Sequence, residues 1–171
     1  MSSEEKVGCA SCNKPKATTA CGLCQAALCR KCVQFLDPET LRYFDVKPAD
    51  LLHGNYCGPC FVTKVSPVLA DYEEVMDRAR GVVVFMNNKG EETRLMNRSA
   101  KPIRADDCFD EEETLLRLAY LAAREKFNVL VDVHVQSKIV RRQGGYQTSE
   151  FWGTAVPSKV DPQWLKRTEG R

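Results

Sequence analysis

The sequence predicts an α+β protein with a cysteine-rich N-terminal module, a linking helix and a small ββαββ sandwich. Eight of the nine cysteines lie between residues 9 and 60, where they form four C-x-x-C pairs. A stretch of helical periodicity follows, and the second half of the chain alternates strand and helix patterns. We therefore expect a cysteine module over 1–64, a linking helix over 65–80, a sandwich with a mostly antiparallel sheet over 81–158 and a flexible tail over 159–171.

The composition restricts the class of protein. The chain has 25 Lys and Arg against 23 Asp and Glu, so we expect no strong overall attraction to nucleic acid or to an anionic membrane. The N-terminal residues lack the apolar run of a signal peptide, and no later stretch approaches the roughly 20 apolar residues that span a bilayer. We therefore expect a cytoplasmic protein, in which clustered thiols bind metal more often than they form disulfides.

The four cysteine pairs predict two zinc sites. Two intervening residues let a tight turn present both sulfurs to one ion at about 2.3 Å, and a tetrahedral zinc ion takes two such pairs. Because eight thiolates fill two sites, no position is left for the water that a catalytic zinc needs. Four thiolates also hold iron, so the ion itself stays open. The pairs are Cys9 with Cys12, Cys21 with Cys24, Cys29 with Cys32, and Cys57 with Cys60.

The pairs share the two ions in either consecutive or interleaved order. Only four residues separate Cys24 from Cys29. Such a short connection suits a tight hairpin whose ends point to different ions, and we therefore favour the interleaved order. One zinc ion is then expected to bind Cys9, Cys12, Cys29 and Cys32, and the other to bind Cys21, Cys24, Cys57 and Cys60.

The ligand pattern over residues 9–60 resembles that of FYVE-type and RING cross-brace zinc fingers, which have a treble-clef fold. The resemblance implies a non-enzymatic module that presents a recognition surface, with a protein as its partner. FYVE domains that bind phosphatidylinositol 3-phosphate carry W-x-x-D, R-R-H-H-C-R and R-V-C motifs. Residues 6–8, 19–24 and 55–57 stand at these places and match none of them, so binding of that lipid is not expected. RING ligases normally use a histidine ligand, which this all-cysteine pattern lacks.

The last pair carries a competing signal, because Cys57-Gly58-Pro59-Cys60 is also the active-site tetrapeptide of thioredoxins. In that fold the motif follows a buried apolar strand and caps a helix that activates the first thiol. Residues 50–56 do not have the pattern of such a strand. We favour metal binding and keep thiol-disulfide exchange as an alternative.

Two helical segments are expected between the third cysteine pair and the sandwich. Asp37 followed by Pro38 has the pattern of an N-cap and first helical residue, which predicts a short turn. From Pro67 to Arg80 apolar residues recur at helical spacing. His53 is expected to be a partly exposed side chain, because eight thiolates already complete both sites.

The first half of the sandwich is expected to contain two strands and a helix. Residues 82–86 have the pattern of a buried strand, 87–90 that of a turn and 91–96 that of a returning strand. A loop is expected over 99–107. Residues 110–126 carry an acidic first turn, an apolar stripe and a basic last turn, which predicts a helix packed on the sheet.

The last two expected strands form a hairpin. Residues 129–136 alternate apolar and polar side chains. Gly144-Gly145 predicts the turn, and residues 146–156 alternate again until Pro157 is expected to end the strand. The stretch from Ala119 through 127–133 to the closing G-T-A-V resembles a family of small bacterial α+β domains described as heavy-metal-binding. That resemblance implies a bacterial source and a homo-oligomer formed through the α+β domain.

The second half shows no convincing set of catalytic residues, so we expect no enzyme. His134 lies two residues from Asp132, which is a common arrangement on an exposed strand face, and Cys108 is expected to be a spare thiol. The basic run 138–142, followed by Tyr146 and then by Phe151 and Trp152, mixes positive charge with aromatic rings. A binder of nucleic acid or lipid headgroups is therefore the second hypothesis, beside a zinc-binding adaptor.

Overall fold

The computed structural model describes residues 8–44, 46–86, 96–99, 101–141, 145–161 and 163. The chain divides into two compact units, residues 1–73 and 74–171. A cysteine-rich region precedes a region of helix and mostly antiparallel sheet, so the predicted α+β class is confirmed. Among the described residues, no helix is both long and apolar enough to cross a membrane.

The first unit is built from short elements around buried thiols. Two antiparallel strand pairs are present, β1 with β2 and β3 with β4. A helical stretch follows them without interruption, from α1 through a π-helical turn into α2. The elements are β1 (Thr19–Ala20), β2 (Ala27–Leu28), β3 (Gln34–Phe35), β4 (Asn55–Tyr56), 3-10 helices at Pro38–Leu41 and Ala49–Leu51, α1 (Gly58–Cys60), the π-helical turn Phe61–Val65 and α2 (Ser66–Arg80).

Both predicted helical segments of this region are present. The Asp37 side chain accepts a hydrogen bond from the backbone N–H of Glu39 at 2.9 Å, with Pro38 at the start of the 3-10 helix. This is the N-cap arrangement that the residue types predict. The division between the two units falls inside α2.

Within its described residues, the second unit contains a five-stranded sheet, helix α3 and the C-terminal part of α2. In the sheet β5 pairs in parallel with β8, β8 pairs antiparallel with β9, and β6 and β7 both pair antiparallel with β9. The elements are β5 (Val83–Met86), β6 (Asn97–Arg98), β7 (Ile103–Cys108), α3 (Glu111–Arg124), β8 (Val129–Arg141) and β9 (Gln147–Lys159).

The expected loop over 99–107 is wrong for most of its length, because β7 begins at Ile103 and pairs with β9. The amino-acid composition does not reveal β7 as a strand, because Arg104, Asp106 and Asp107 are exposed and only Ala105 and Cys108 are buried. A strand at a sheet edge keeps such polar side chains in water. The expected turn 87–90 and most of the expected strand 91–96 lie outside the described residues, and the short strand β6 follows them.

The expected end of the last strand at Pro157 is also wrong, because β9 continues to Lys159. Pro157 lies opposite Leu130, and its carbonyl accepts a hydrogen bond from Ser99 N at 2.7 Å. Proline removes only its own N–H donor, and its carbonyl still takes part in the ladder. Val160 exchanges two hydrogen bonds with the Asn128 side chain, so order extends into the expected tail; residues 164–171 lie outside the described part.

The alternation predicted for β8 is interrupted by a β-bulge. Asp132 has φ 51°, and the register with β9 shifts between Val131 and His134. On either side of this shift, the apolar residues Val129, Leu130, Val131 and Val133 are all buried. A bulge of this kind adds one unpaired residue and increases the local twist of the sheet.

Helix α3 packs closely on one face of this sheet. A Cβ added to Gly153 of β9 would lie 2.8 Å from Thr114 Cγ2 and 3.2 Å from Leu118 Cδ1. The expected packing of this helix against the sheet is therefore confirmed. The close approach also explains why glycine stands in the middle of the strand.

Candidate metal centre

The eight paired thiols lie in two groups of four. Within each group all four sulfur atoms lie within 4.8 Å of one another. The membership is interleaved: the first thiol group is Cys9, Cys12, Cys29 and Cys32, and the second thiol group is Cys21, Cys24, Cys57 and Cys60.

The spacing of the sulfurs fits a tetrahedral ion. Sulfurs placed about 2.3 Å from a central zinc ion at tetrahedral corners would lie about 3.8 Å apart. The Sγ atoms of Cys12 and Cys29 are 3.7 Å apart in the first thiol group, and those of Cys24 and Cys57 are 3.7 Å apart in the second. Each group therefore has the donor type and the spacing of a four-thiolate zinc site, and zinc ligation by these residues remains a prediction.

All four C-x-x-C turns are closed in the same way. In each turn, the residue after the second cysteine donates its backbone N–H to the carbonyl of the first cysteine. The donors and acceptors are Asn13 to Cys9 (2.8 Å), Gln25 to Cys21 (2.9 Å), Val33 to Cys29 (3.2 Å) and Phe61 to Cys57 (2.9 Å). These backbone hydrogen bonds close the turn that carries the two sulfurs of each pair.

The two turns of each group are also joined by one backbone hydrogen bond. In the first thiol group Ala10 N donates to Ala27 O at 2.8 Å, and in the second Gly22 N donates to Asn55 O at 2.9 Å. Each donor directly follows the first cysteine of its group, and each acceptor lies two residues before the third. The two groups are therefore repeats of one local design.

The first cysteine of each group has a lowered thiol pKa. A hydrogen bond from the backbone of Cys29 is the main cause at Cys9, whose pKa falls to about 6. At Cys21 burial raises the pKa, but hydrogen bonds from the backbone of Cys24 and Cys57 outweigh it, and the pKa is lowered to about 6. Both side chains are therefore suited to act as thiolate ligands near neutral pH.

The last cysteine of each group shows the opposite shift. Hydrogen bonding with the thiol of Cys12 raises the pKa of Cys32 to about 12, and hydrogen bonding with Cys57 raises the pKa of Cys60 to about 12. A neighbouring thiolate favours the protonated form because two negative charges repel each other. Each group thus keeps a proton at neutral pH that an incoming cation must displace.

The second thiol group lies at the start of the helical stretch that contains α1 and α2. Cys57 is the N-cap of α1, and its sulfur accepts a hydrogen bond from Cys60 N at 3.5 Å. The N-terminal end of a helix carries partial positive charge. Four thiolates around one divalent zinc ion carry a net charge of about −2, so this position stabilises the loaded group.

The thioredoxin-like tetrapeptide has a different setting from the one that redox chemistry needs. Only the two-residue strand β4 precedes Cys57, and Cys57 is buried among the other thiols, with 6% of its surface exposed. Its sulfur lies 3.7 Å from the sulfur of Cys24, which belongs to a different C-x-x-C pair. The setting fits a metal ligand better than a dithiol open to a substrate.

The other candidate residues do not form a second site. The Asp132 carboxylate accepts a hydrogen bond from Arg98 at 2.9 Å, and within the described residues no hydrogen bond joins it to the exposed His134. Cys108 is buried, and its thiol donates to Asp106 O at 3.5 Å. Within the described residues, His53 and Cys108 belong to neither thiol group.

The basic run is partly neutralised by a residue that sequence analysis did not single out. Lys138 forms an ion pair with Glu150 at 2.8 Å on the neighbouring strand. Its ammonium also lies 5.7 Å from the centre of the Trp152 ring. Sequence analysis could not find this ion pair, because it depends on the β8–β9 register, which places Lys138 opposite Glu150.

No family model matches the chain, and no curated protein or solved structure matches it. The functional conclusion therefore depends on the geometry of the two thiol groups.

Proposed function

We propose that the chain is a non-enzymatic zinc protein whose N-terminal unit binds two zinc ions and acts as an interaction module. The observation that carries the proposal is the assembly of eight thiols from four turns into two groups with tetrahedral spacing. Four thiolates complete the coordination of each ion, so the metal would stabilise the fold and leave no open position for chemistry. The ligands would be Cys9, Cys12, Cys29 and Cys32 for one ion and Cys21, Cys24, Cys57 and Cys60 for the other.

Native mass spectrometry of the untagged protein, with elemental analysis of the metal, tests the proposal. We expect a mass excess of two zinc ions per chain that disappears on denaturation in acid. The Cys108→Ser variant is the control and should retain both ions, since Cys108 lies outside both thiol groups. One zinc ion or none, with Cys57 and Cys60 joined as a disulfide, would contradict the proposal and support thiol-disulfide exchange.

Exposed apolar side chains on the first unit support a protein as the partner. Phe35, Leu52 and Val62 are 68%, 67% and 65% exposed. Of these, Phe35 is an aromatic residue of the kind that is enriched at protein interfaces. The resemblance to cross-brace zinc fingers, which present a recognition surface, favours the same partner class.

Quantitative affinity capture tests the partner class. We expect specific partners of the wild-type protein to be lost from a Phe35→Ser/Leu52→Ser variant and retained by a Lys14→Ser control. Both variants should still bind two zinc ions, which separates loss of the surface from loss of the fold. Equal capture by the wild type and the apolar variant would contradict a partner at this surface.

The hairpin of β8 and β9 favours a second candidate function, binding to nucleic acid. The end of this hairpin, from Ser137–Phe151 to Arg141–Gln147, extends beyond the rest of the sheet. Within the described residues, the two strands pair there with each other, and only Phe151 also pairs with another strand, at Cys108 of β7. Ile139 is 71% exposed and Arg141 is also exposed. A two-stranded ribbon with cationic side chains fits the major groove of a duplex.

Fluorescence anisotropy with duplex DNA and RNA at several salt concentrations tests this candidate. Affinity should fall steeply with salt, and Arg141→Glu should weaken binding more than the matched control Lys101→Glu. Binding to anionic vesicles but not to duplexes would assign the ribbon to lipid headgroups instead. Absence of binding to either would exclude both.

A further inference from the structure

Segment 50–56 contributes both backbone and side-chain contacts to the second thiol group. Asn55 O accepts the hydrogen bond from Gly22 that joins the two turns of the group. The Asn55 side chain also donates to Thr19 Oγ1 at 2.9 Å, on the strand that leads into Cys21. In the first thiol group the corresponding acceptor residue is Ala27, whose side chain has no donor. The second group is therefore held together by an additional polar contact.

The side chain of His53 packs directly on the C-x-x-C turn of the second group. A Cβ added to Gly22 would overlap Cβ and Cγ of His53 and lie 2.7 Å from its Nδ1. Only a residue without a side chain permits this approach. The first thiol group has Ala10 at the corresponding position, and Ala10 is exposed.

A row of aromatic rings connects His53 with the other turn of the group. The ring of Tyr56 is fully buried and lies edge-on to His53 at 6.3 Å and to Phe61 at 6.2 Å. The Tyr56 hydroxyl donates to Asp50 O at 2.9 Å. At the first thiol group the positions of Tyr56 and Phe61 are taken by Leu28 and Val33, which have no rings.

From these contacts we infer that the two metal sites are unequal and that His53 is a positioning residue which shields the second. The second site should bind its zinc ion first and release it last. This inference rests on the proposed function, the binding of metal by both thiol groups. In the second thiol group Cys21 and Cys57 are buried, whereas in the first thiol group only Cys9 is buried. A ring packed against the turn restricts both the motion of the ligands and the access of a competing chelator.

Zinc release to an excess of a chromophoric chelator tests the inference on the full-length, zinc-loaded protein at constant pH. The wild type should release one zinc ion per chain quickly and the other slowly. His53→Ala should accelerate the slow phase roughly 10-fold or more, the range typical of residues that support metal ligands from behind. Leu52→Ala, at the exposed residue that precedes His53, should leave both phases unchanged.

Cadmium-113 NMR of the substituted protein assigns the effect to one site. We expect two signals, of which His53→Ala shifts one and leaves the other in place. His53→Phe, which keeps a planar ring against Gly22, should restore the slow phase. Its two signals should also stay in the range of four-thiolate sites, because His53 is not a ligand.

Three outcomes would contradict the inference or the proposed function on which it rests. A single release rate for both zinc ions in the wild type would overturn the inequality of the sites. An unchanged slow phase in His53→Ala would overturn the role of His53. Absence of bound zinc in the purified wild-type protein would instead refute the proposed function itself.

Discussion

The first and second thiol groups have the same construction and different surroundings. Each consists of two C-x-x-C turns closed by equivalent hydrogen bonds and joined by one more, from Ala10 to Ala27 or from Gly22 to Asn55. Around the second group, however, His53 packs on the glycine of the turn. The comparison teaches that cysteine spacing sets the ligands, whereas residues between the pairs determine how firmly each group is held.

The largest difference is expected when a ligand is removed. Because metal binding in small thiolate modules supplies much of the folding free energy, Cys21→Ser should remove one zinc ion and unfold most of the first unit. Cys9→Ser should also remove one ion but leave the better-held second group folded. Hydrogen exchange with mass spectrometry, read over residues 8–65, measures the difference. Equal loss of protection in both variants would contradict the comparison.

The glycine of the second group provides the next test. Gly22→Ala forces a methyl group into the His53 ring, and such overpacking typically costs about 1–3 kcal/mol. Ala10→Gly removes a methyl group that is exposed, and its cost should stay within about 1 kcal/mol, chiefly through the entropy of the unfolded chain. Urea unfolding of the zinc-loaded variants measures both free energies. A larger loss for Ala10→Gly would reverse the ranking of the groups.

Proton release is expected at both groups, because each has one thiol with a pKa raised to about 12. It should be larger at the second group, where burial also raises the pKa of Cys57, whereas the pKa of Cys29 in the first group is lowered. Cys32 and Cys60 are protonated at pH 7 in the metal-free protein, so loading must displace at least one proton per group. Protons and zinc compete, so affinity rises with pH, by about 1.4 kcal/mol per pH unit for each proton released. Isothermal titration calorimetry in buffers of different ionisation enthalpy counts these protons. A total below two per chain would be inconsistent with the raised pKa values of Cys32 and Cys60.

The comparison also indicates how much of the molecule could be predicted. The spacing of Cys24 and Cys29 was enough to predict interleaved groups, because a four-residue connection restricts how a chain turns. The contact of His53 with Gly22 joins residues far apart in sequence, and no local pattern encodes it. A glycine inside a C-x-x-C pair permits close approach of another group but does not predict it, since Gly58 in the last pair has open space around it.

In the sheet, too, local sequence patterns predicted only some of the features. The strands β5, β8 and β9 have apolar patterns and were predicted, whereas three of the six residues of β7 are charged and this strand depends on pairing with β9 for its conformation. The bulge at Asp132 changes which face its neighbours occupy, and a regular alternation of period two cannot express such a shift. Local patterns therefore predict buried elements better than edges and irregularities.

The smallest expected effect concerns Asn55, whose side chain gives the second group the polar contact that Ala27 cannot give the first. Asn55→Ala removes the hydrogen bond to Thr19 Oγ1 and keeps the backbone bond to Gly22. A hydrogen bond of this kind contributes about 1 kcal/mol, so the zinc-loaded variant should lose about that much in urea unfolding. The slow phase of zinc release should accelerate less than in His53→Ala, because the ring still covers Gly22. If Asn55→Ala accelerated release more than His53→Ala, the polar contact rather than the packed ring would be what separates the two groups.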